Sequence, residues 1–243
     1  MQPKRSYDDP CGVARALDAV GERWALLIVR ELLLGPKRFG ALSSGLPGMS
    51  QNVLSQRLRE LTDAGIVRRR TFGPPASSQG YELTERGREL APVLHALARW
   101  GSRIPVGSAA ELSTDALMLA LQTTFDPRAA GALRARLELR VGDDCFRAEI
   151  GSGWFGISRG SDGRADAILT TGAATLRAVI FGDRTIADAV ERGDLRIDGD
   201  RRVAARFTGC FPRPAAVSAA GPAPPAREPR ARRSRPAPRW PGP

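Results

Sequence analysis

The 243 residues, 42 % of them apolar, suffice for one large or two small folded domains, and the three widely spaced cysteines (Cys11, Cys145, Cys210) exclude a disulfide framework or a cysteine metal site. The formal charge of +11 is uneven: +6 over residues 1–105, −1 over 106–211 and +6 over 212–243. That asymmetry points to a polyanion partner for the N-terminal part, nucleic acid being the usual one.

The first ten residues are not followed by the apolar stretch of a secretory signal. Residues 24–34 are apolar but interrupted by Arg30 and Glu31, and too few to span a bilayer. No membrane association and a reducing cytoplasm are therefore expected. Residues 11–20 read as a short helix with Val13, Leu17 and Val20 on one side, broken by Gly21. Residues 24–34 should form a helix apolar nearly all round, buried mid-domain, and stopped by Gly35-Pro36. Residues 38–46 give another short helix with Phe39, Leu42 and Leu46 inward; Pro47-Gly48 turns, and Met49 packs beneath the next helix.

Residues 50–64 carry Leu54, Leu58 and Leu61 at i, i+4 and i+7, one stripe of a helix. Ser50 is placed to cap its start and Gly65 to end it. Asn52, Ser55, Gln56 and Arg59 project away from the stripe, with side chains of the kind that reach base edges and phosphates. Helix, turn, helix is the order of a helix-turn-helix. Residues 66–72 and 81–83 then read as strands around a Gly/Pro/Ser loop, which makes a wing. Thr84 caps a last helix running to about Gly101, with Leu90, Leu94, Leu97 and Trp100 on one face and Pro92 as a possible kink.

These residues resemble the HxlR-type winged-helix transcriptional regulators, distant relatives of the MarR type. The likeness rests on Cys11, G-E-R-W-A-L-L-I-V-R-E-L at 21–32, G-P-K-R-F at 35–39, L-P-G-M-S at 46–50 and L-S-Q-R-L-R-E-L at 54–61. It continues with G-I-V-R-R at 65–69, Y-E-L-T-E-R-G at 81–87 and Trp100-Gly101, so the domain is taken as 8–105. The resemblance implies a homodimer on double-stranded DNA, with the first and last helices at the two-fold interface, repression as the expected sign of control, and a palindromic operator whose half-site centres lie ~34–36 Å apart. In that reading Asn52, Ser55 and Gln56 face base edges, Gln51, Arg57 and Arg59 are candidates for bases or phosphates, and Ser50 stands with them at the helix start. Arg68, Arg69 and Arg70 would touch phosphates from the wing, and Lys37 and Arg38 would hold the backbone, Arg38 being open to a structural role as well. In some members of the family a cysteine at the place of Cys11 senses oxidants or electrophiles, and its start-of-helix position favours the thiolate; the alternative is a small packed hydrophobe.

Residues 107–211 read as a second unit: a helix with Leu117, Leu119 and Leu121, then alternating strands at 135–141 and 145–151 joined by a Gly142-Asp143-Asp144 turn. Further strands at 154–158, 166–172 and 195–200, with helices at 175–182, 185–193 and 201–211, suggest an α+β fold with helices on one face of a sheet. The pattern, G-D-L-R-I-D-G-D at 193–200 above all, resembles a small sterol-carrier-protein-like domain. That likeness implies an apolar tunnel and an apolar effector, and it leaves an alternative in which the chain is mainly a lipid carrier. Residues 212–243 are Pro/Arg-rich with little to bury; they should be a disordered basic tail, and the 227–239 arginines could add nonspecific affinity for DNA.

Two signatures tempt. Residues 151–156 fit G-x-G-x-x-G and 156–160 fit G-x-S-x-G. The first needs a helix to begin there and the second needs a strand-turn-helix with a downstream acid and histidine, whereas the sole histidine, His95, lies upstream. Turn glycines explain both. No catalytic constellation, metal site or cofactor is expected, and hence no enzyme.

Overall fold

The computed structural model describes residues 6–73, 78–104 and 111–213. The tail from 214 on, with its arginines, and the four wing residues 74–77 lie outside the described residues.

The N-terminal unit runs α1 (Gly12–Val20), α2 (Ala25–Leu32), β1 (Lys37–Arg38), α3 (Phe39–Gly45), α4 (Gln51–Asp63), β2 (Val67–Phe72), β3 (Ser78–Leu83), α5 (Glu85–Arg88) and α6 (Ala91–Gly101). Its sheet has the order β1-β3-β2, antiparallel throughout, so β1 closes the edge away from the wing's outgoing strand. The core joins Ile28, Val29 and Leu32 of α2 to Leu42, Leu46, Ile66 and Leu83, and to Leu54, Leu58 and Leu61 of α4. Each of those three α4 leucines is 1 % exposed. At roughly 1.5–3 kcal/mol apiece, an upper estimate, their burial holds a helix that would be marginal alone.

Two expectations are corrected here. The helix read from residue 38 begins one residue later, because Lys37 and Arg38 pair with Tyr81 and Gly80 as an edge strand. The last helix is two helices. Pro92 has no N–H to return to Arg88, so it sits in the first turn of α6, while α5 is a single turn capped by Thr84, whose Oγ1 accepts from Gly87 N–H at 3.0 Å. The apolar faces of α1 and α6 are only half used: Val20 and Leu94 are buried, whereas Val13, Leu17, Leu97 and Trp100 stand exposed.

The second unit runs α7 (Thr114–Thr124), α8 (Pro127–Ala130), β4 (Ala135–Val141), β5 (Asp144–Ile150), β6 (Phe155–Arg159), β7 (Ala167–Thr171), α9 (Ala173–Phe181), α10 (Ile186–Glu191), β8 (Leu195–Gly199) and α11 (Arg201–Thr208). The sheet order is β6-β5-β4-β7-β8, with β4 and β7 parallel and the other pairs antiparallel. The helices share one core with the inward residues of the strands, while the other face carries ion-paired Arg136, Glu138, Arg140, Arg147 and Glu149. This is the α+β arrangement expected. Only α8 was missed: four residues are too few for a periodic signal, and its mark is the Asp126 cap before Pro127. Phe125, Phe155, Phe207 and Phe211 meet at centroid distances of 5.0–6.2 Å within that core.

Helix α7 belongs to both units. Leu117, Met118 and Leu121 enter the second core. Asp115, Leu119 and Gln122, at i, i+4 and i+7, share the other side, and α7 packs on α2 and α6. Two buried faces explain why its leucines show no single stripe.

Candidate nucleic-acid interface

The Ser50 hydroxyl accepts from Val53 N–H at 3.4 Å and starts α4; Gly65, at φ +69°, ends it in a conformation a side chain resists. Between these ends Gln51, Asn52, Ser55, Gln56 and Arg59 are exposed. The Gln56 amide donates to Glu60 at 3.0 Å, which orients it along the helix. Arg57 is different. Three residues after Leu54, it lies at the border of the buried stripe, its side chain 16 % exposed and paired to Glu22 at 2.9 Å and to Glu60. It ties α4 to the segment before α2 and is not part of the projecting face.

In the wing, the strand period of two separates three consecutive arginines. Arg68 and Arg70 share a face and both pair with Glu82, at 2.8 and 2.7 Å. Their hydrogen bonds, Arg70 first and then Arg68, hold the Glu82 carboxyl below the usual glutamate value. Arg69 points the other way, stands opposite Tyr81, is exposed, and makes no ion pair among the described residues. Arg38 is exposed, donates to Ser78 Oγ at 2.6 Å and lies 5.1 Å over the Phe72 ring, at the root of the wing.

Lys37 departs from expectation. Its ammonium is turned inward, with its side chain only 10 % exposed, donating to Glu31 at 2.7 Å and to Asp115. The reason lies in Glu31, which is wholly buried in apolar α2 and needs partners there. Gly45 leaves space for that carboxylate, since a Cβ at position 45 would stand 2.2 Å from Oε2. Arg30 at 2.8 Å and the Ser113 hydroxyl at 2.6 Å complete its bonds. The Lys37 ammonium is thus engaged by Glu31 and Asp115 and is not presented on the surface beside α4. Sequence reasoning missed Glu31, Asp115 and Arg159; the signal was an acid inside an apolar run, but its partners are distant in the chain.

Cys11 is exposed at the N-cap of α1, and the N–H groups of Val13 and Ala14 lower its thiol pKa. Burial raises those of Cys145 and Cys210. Burial lowers the pKa of His95. The G-x-G-x-x-G glycines seat an indole: a Cβ on Gly151 or Gly156 would meet Trp154 at 2.0 or 2.7 Å. Ser158 lies within β6, so neither tempting signature has its required helix.

Residues 19–106 match the model of the HxlR-like helix-turn-helix family. The HTH-type transcriptional regulator YvaP of Bacillus subtilis, itself uncharacterised, is 39 % identical over 88 residues, 36 % of this chain and 82 % of that protein. The chain belongs to the HxlR-like helix-turn-helix family. A second relative, an uncharacterised HTH-type transcriptional regulator of Mycobacterium bovis, is 44 % identical over 89 residues, 37 % of this chain; the match spans 56 % of that protein's length, little more than half. Among solved structures, the redox regulator HypR in its reduced form is 33 % identical with a TM-score of 0.35, covering 37 % of this chain and 90 % of that one. Reduced YodB from B. subtilis is 33 % identical at a TM-score of 0.35, covering 39 % of this chain and 94 % of that one. Beyond the HxlR-like domain, residues 106–216 match the alkyl sulfatase C-terminal model. The family matched there is the alkyl sulfatase C-terminal domain, and the sterol-carrier likeness stays a reading of the sequence pattern.

Proposed function

We propose that this chain is a DNA-binding transcriptional regulator that reads a palindromic operator as a homodimer, with α4 in the major groove. The observation that carries the reading is the exposed face of α4. Asn52, Ser55 and Gln56 project amide and hydroxyl groups from a helix whose opposite face is locked into the core. Arg59, Arg69 and Arg38 anchor phosphates around it, with Gln51 at the helix start. Arg68 and Arg70 join them where phosphate outcompetes Glu82. Repression is the proposed sign of control and the cytoplasm the proposed compartment. The dimer reading is supported by the apolar residues left uncovered on α1 and α6: Val13 at 68 %, Val93 at 53 %, Leu97 at 46 % and Trp100 at 66 % exposure. Control enters through the second domain, by an apolar effector, or through Cys11.

Selection of binding sites from a random duplex library with the full chain tests this. A two-fold symmetric site should emerge, and Gln56→Ala should weaken binding to it by roughly 1–3 kcal/mol and relax preference at one position per half-site. Failure to enrich any sequence, or enrichment of the same site by the variant with unchanged affinity, refutes the reading of α4.

A further inference from the structure

We infer that the second domain grips the wing's edge strand through an ionic clasp, Lys37–Asp115–Arg159, and thereby sets DNA affinity without touching DNA. The contacts themselves form the clasp, and its effect on DNA affinity rests on the DNA-binding reading above.

The clasp is continuous. Lys37 lies in β1, which pairs with β3, the strand returning from the wing. Its ammonium crosses the domain boundary to Asp115 in the first turn of α7. Arg159 of β6 grips both oxygens of that carboxylate, at 2.7 and 3.0 Å. It then reaches Asp144 at the start of β5 and lies 4.7 Å over the Phe146 ring in the second core. Ser113, the cap of α7, adds a parallel tie to Glu31. Side-chain exposures are 10 % for Lys37, 0 % for Glu31, 1 % for Asp115 and 24 % for Arg159.

Burial makes such a cluster stiff. A solvated pair parts cheaply because water replaces the partner, but here a shift of β6 or α7 strands a charge away from water unless its partner moves with it. Displacement in the second domain is therefore handed to β1 and, through its ladder with β3, to the strand that carries Glu82 and faces Arg69. A cleft of about 710 Å³ beside the clasp, between Phe72 of the wing and Asp144, gives the two units room to part there. The two ends of the clasp also hold second partners. Without the Asp115 charge, Lys37 keeps Glu31 and Arg159 keeps Asp144, so both cores can stay folded.

The test uses the full chain with Asp115→Asn, Lys37→Met and the double variant. Amide exchange is followed in peptides covering 33–42, 78–84 and 112–119. Affinity for a mixed-sequence duplex is followed across a salt series. The expected result is faster exchange on both sides of the boundary in each variant. Duplex affinity should fall by about two- to thirtyfold. The falls should be less than additive in the double variant, because both single changes break the shared Lys37–Asp115 link. The slope of affinity against salt should stay as in the unmodified chain, since no phosphate contact is lost. Unchanged exchange in Asp115→Asn overturns the clasp. So does a Lys37→Met variant that alone loses affinity and about one unit of salt slope, which would make Lys37 a phosphate contact. If exchange responds as expected while the unmodified chain binds no duplex, the clasp stands and the DNA-binding reading fails.

Discussion

Arg69 and Glu82 should move DNA binding in opposite directions, and the wing's geometry sets the size of each effect. Arg69 is exposed with no ion pair among the described residues, so Arg69→Ala removes one cation without disturbing the sheet. A phosphate contact changes the slope of log affinity against log salt by about 0.9. Each wing should therefore lose about one unit of slope, which near 0.1 M salt is about eightfold, or about 1.2 kcal/mol. Glu82→Gln works the other way. Arg68 and Arg70, whose side chains are 62 % and 49 % exposed, are both held by that carboxylate. Neutralising it frees two guanidinium groups, and the slope should steepen by up to about two units per wing. Neither arginine is left buried without a partner, so the cost to the fold should stay within the ~0–1 kcal/mol of exposed pairs. Fluorescence anisotropy of a labelled mixed-sequence duplex over a salt series measures both. An unchanged slope in Arg69→Ala refutes its phosphate contact. A weaker complex in Glu82→Gln refutes competition between Glu82 and phosphate.

The same carboxylate predicts a pH dependence. Its pKa is lowered in the folded chain, so it adds stability to the wing above the ordinary glutamate value of about 4.3. That contribution should be lost as pH falls through the lower folded value; amide exchange in β2 and β3 from about pH 5 downward should show it in the unmodified chain and not in Glu82→Gln. Alkylation followed by peptide mass spectrometry should modify Cys11 well before Cys145 and Cys210, because its thiol pKa alone is lowered and it alone is exposed. Equal rates at all three would remove the basis for a Cys11 sensor. Leu58→Ala, at a site 1 % exposed beneath α4, should cost about 2–5 kcal/mol in thermal or denaturant unfolding; a change below ~1 kcal/mol would mean that α4 is not fastened by its leucine stripe.

Features that depend on near neighbours could be read from the residues alone. Helix α4 was legible from leucines at i, i+4 and i+7, a serine before them and a glycine after, because periodicity and capping are settled within a few residues. The wing was legible for the same reason, and so was the sheet of the second unit, whose strands alternate. Features that depend on residues far apart in the chain emerged only from packing. It turned Lys37 from a surface cation into a bridge to Asp115, because Glu31 and Asp115, buried on different helices, both needed a counter-charge. It used the wing's cross-strand register to divide Arg68 and Arg70 from Arg69. It also gave α7 two buried faces, one to each unit. A charge's partner is chosen by burial, and burial is a property of the packed molecule. The exposed face of α4 was therefore readable from the sequence, while the pairing of the cations around it was not.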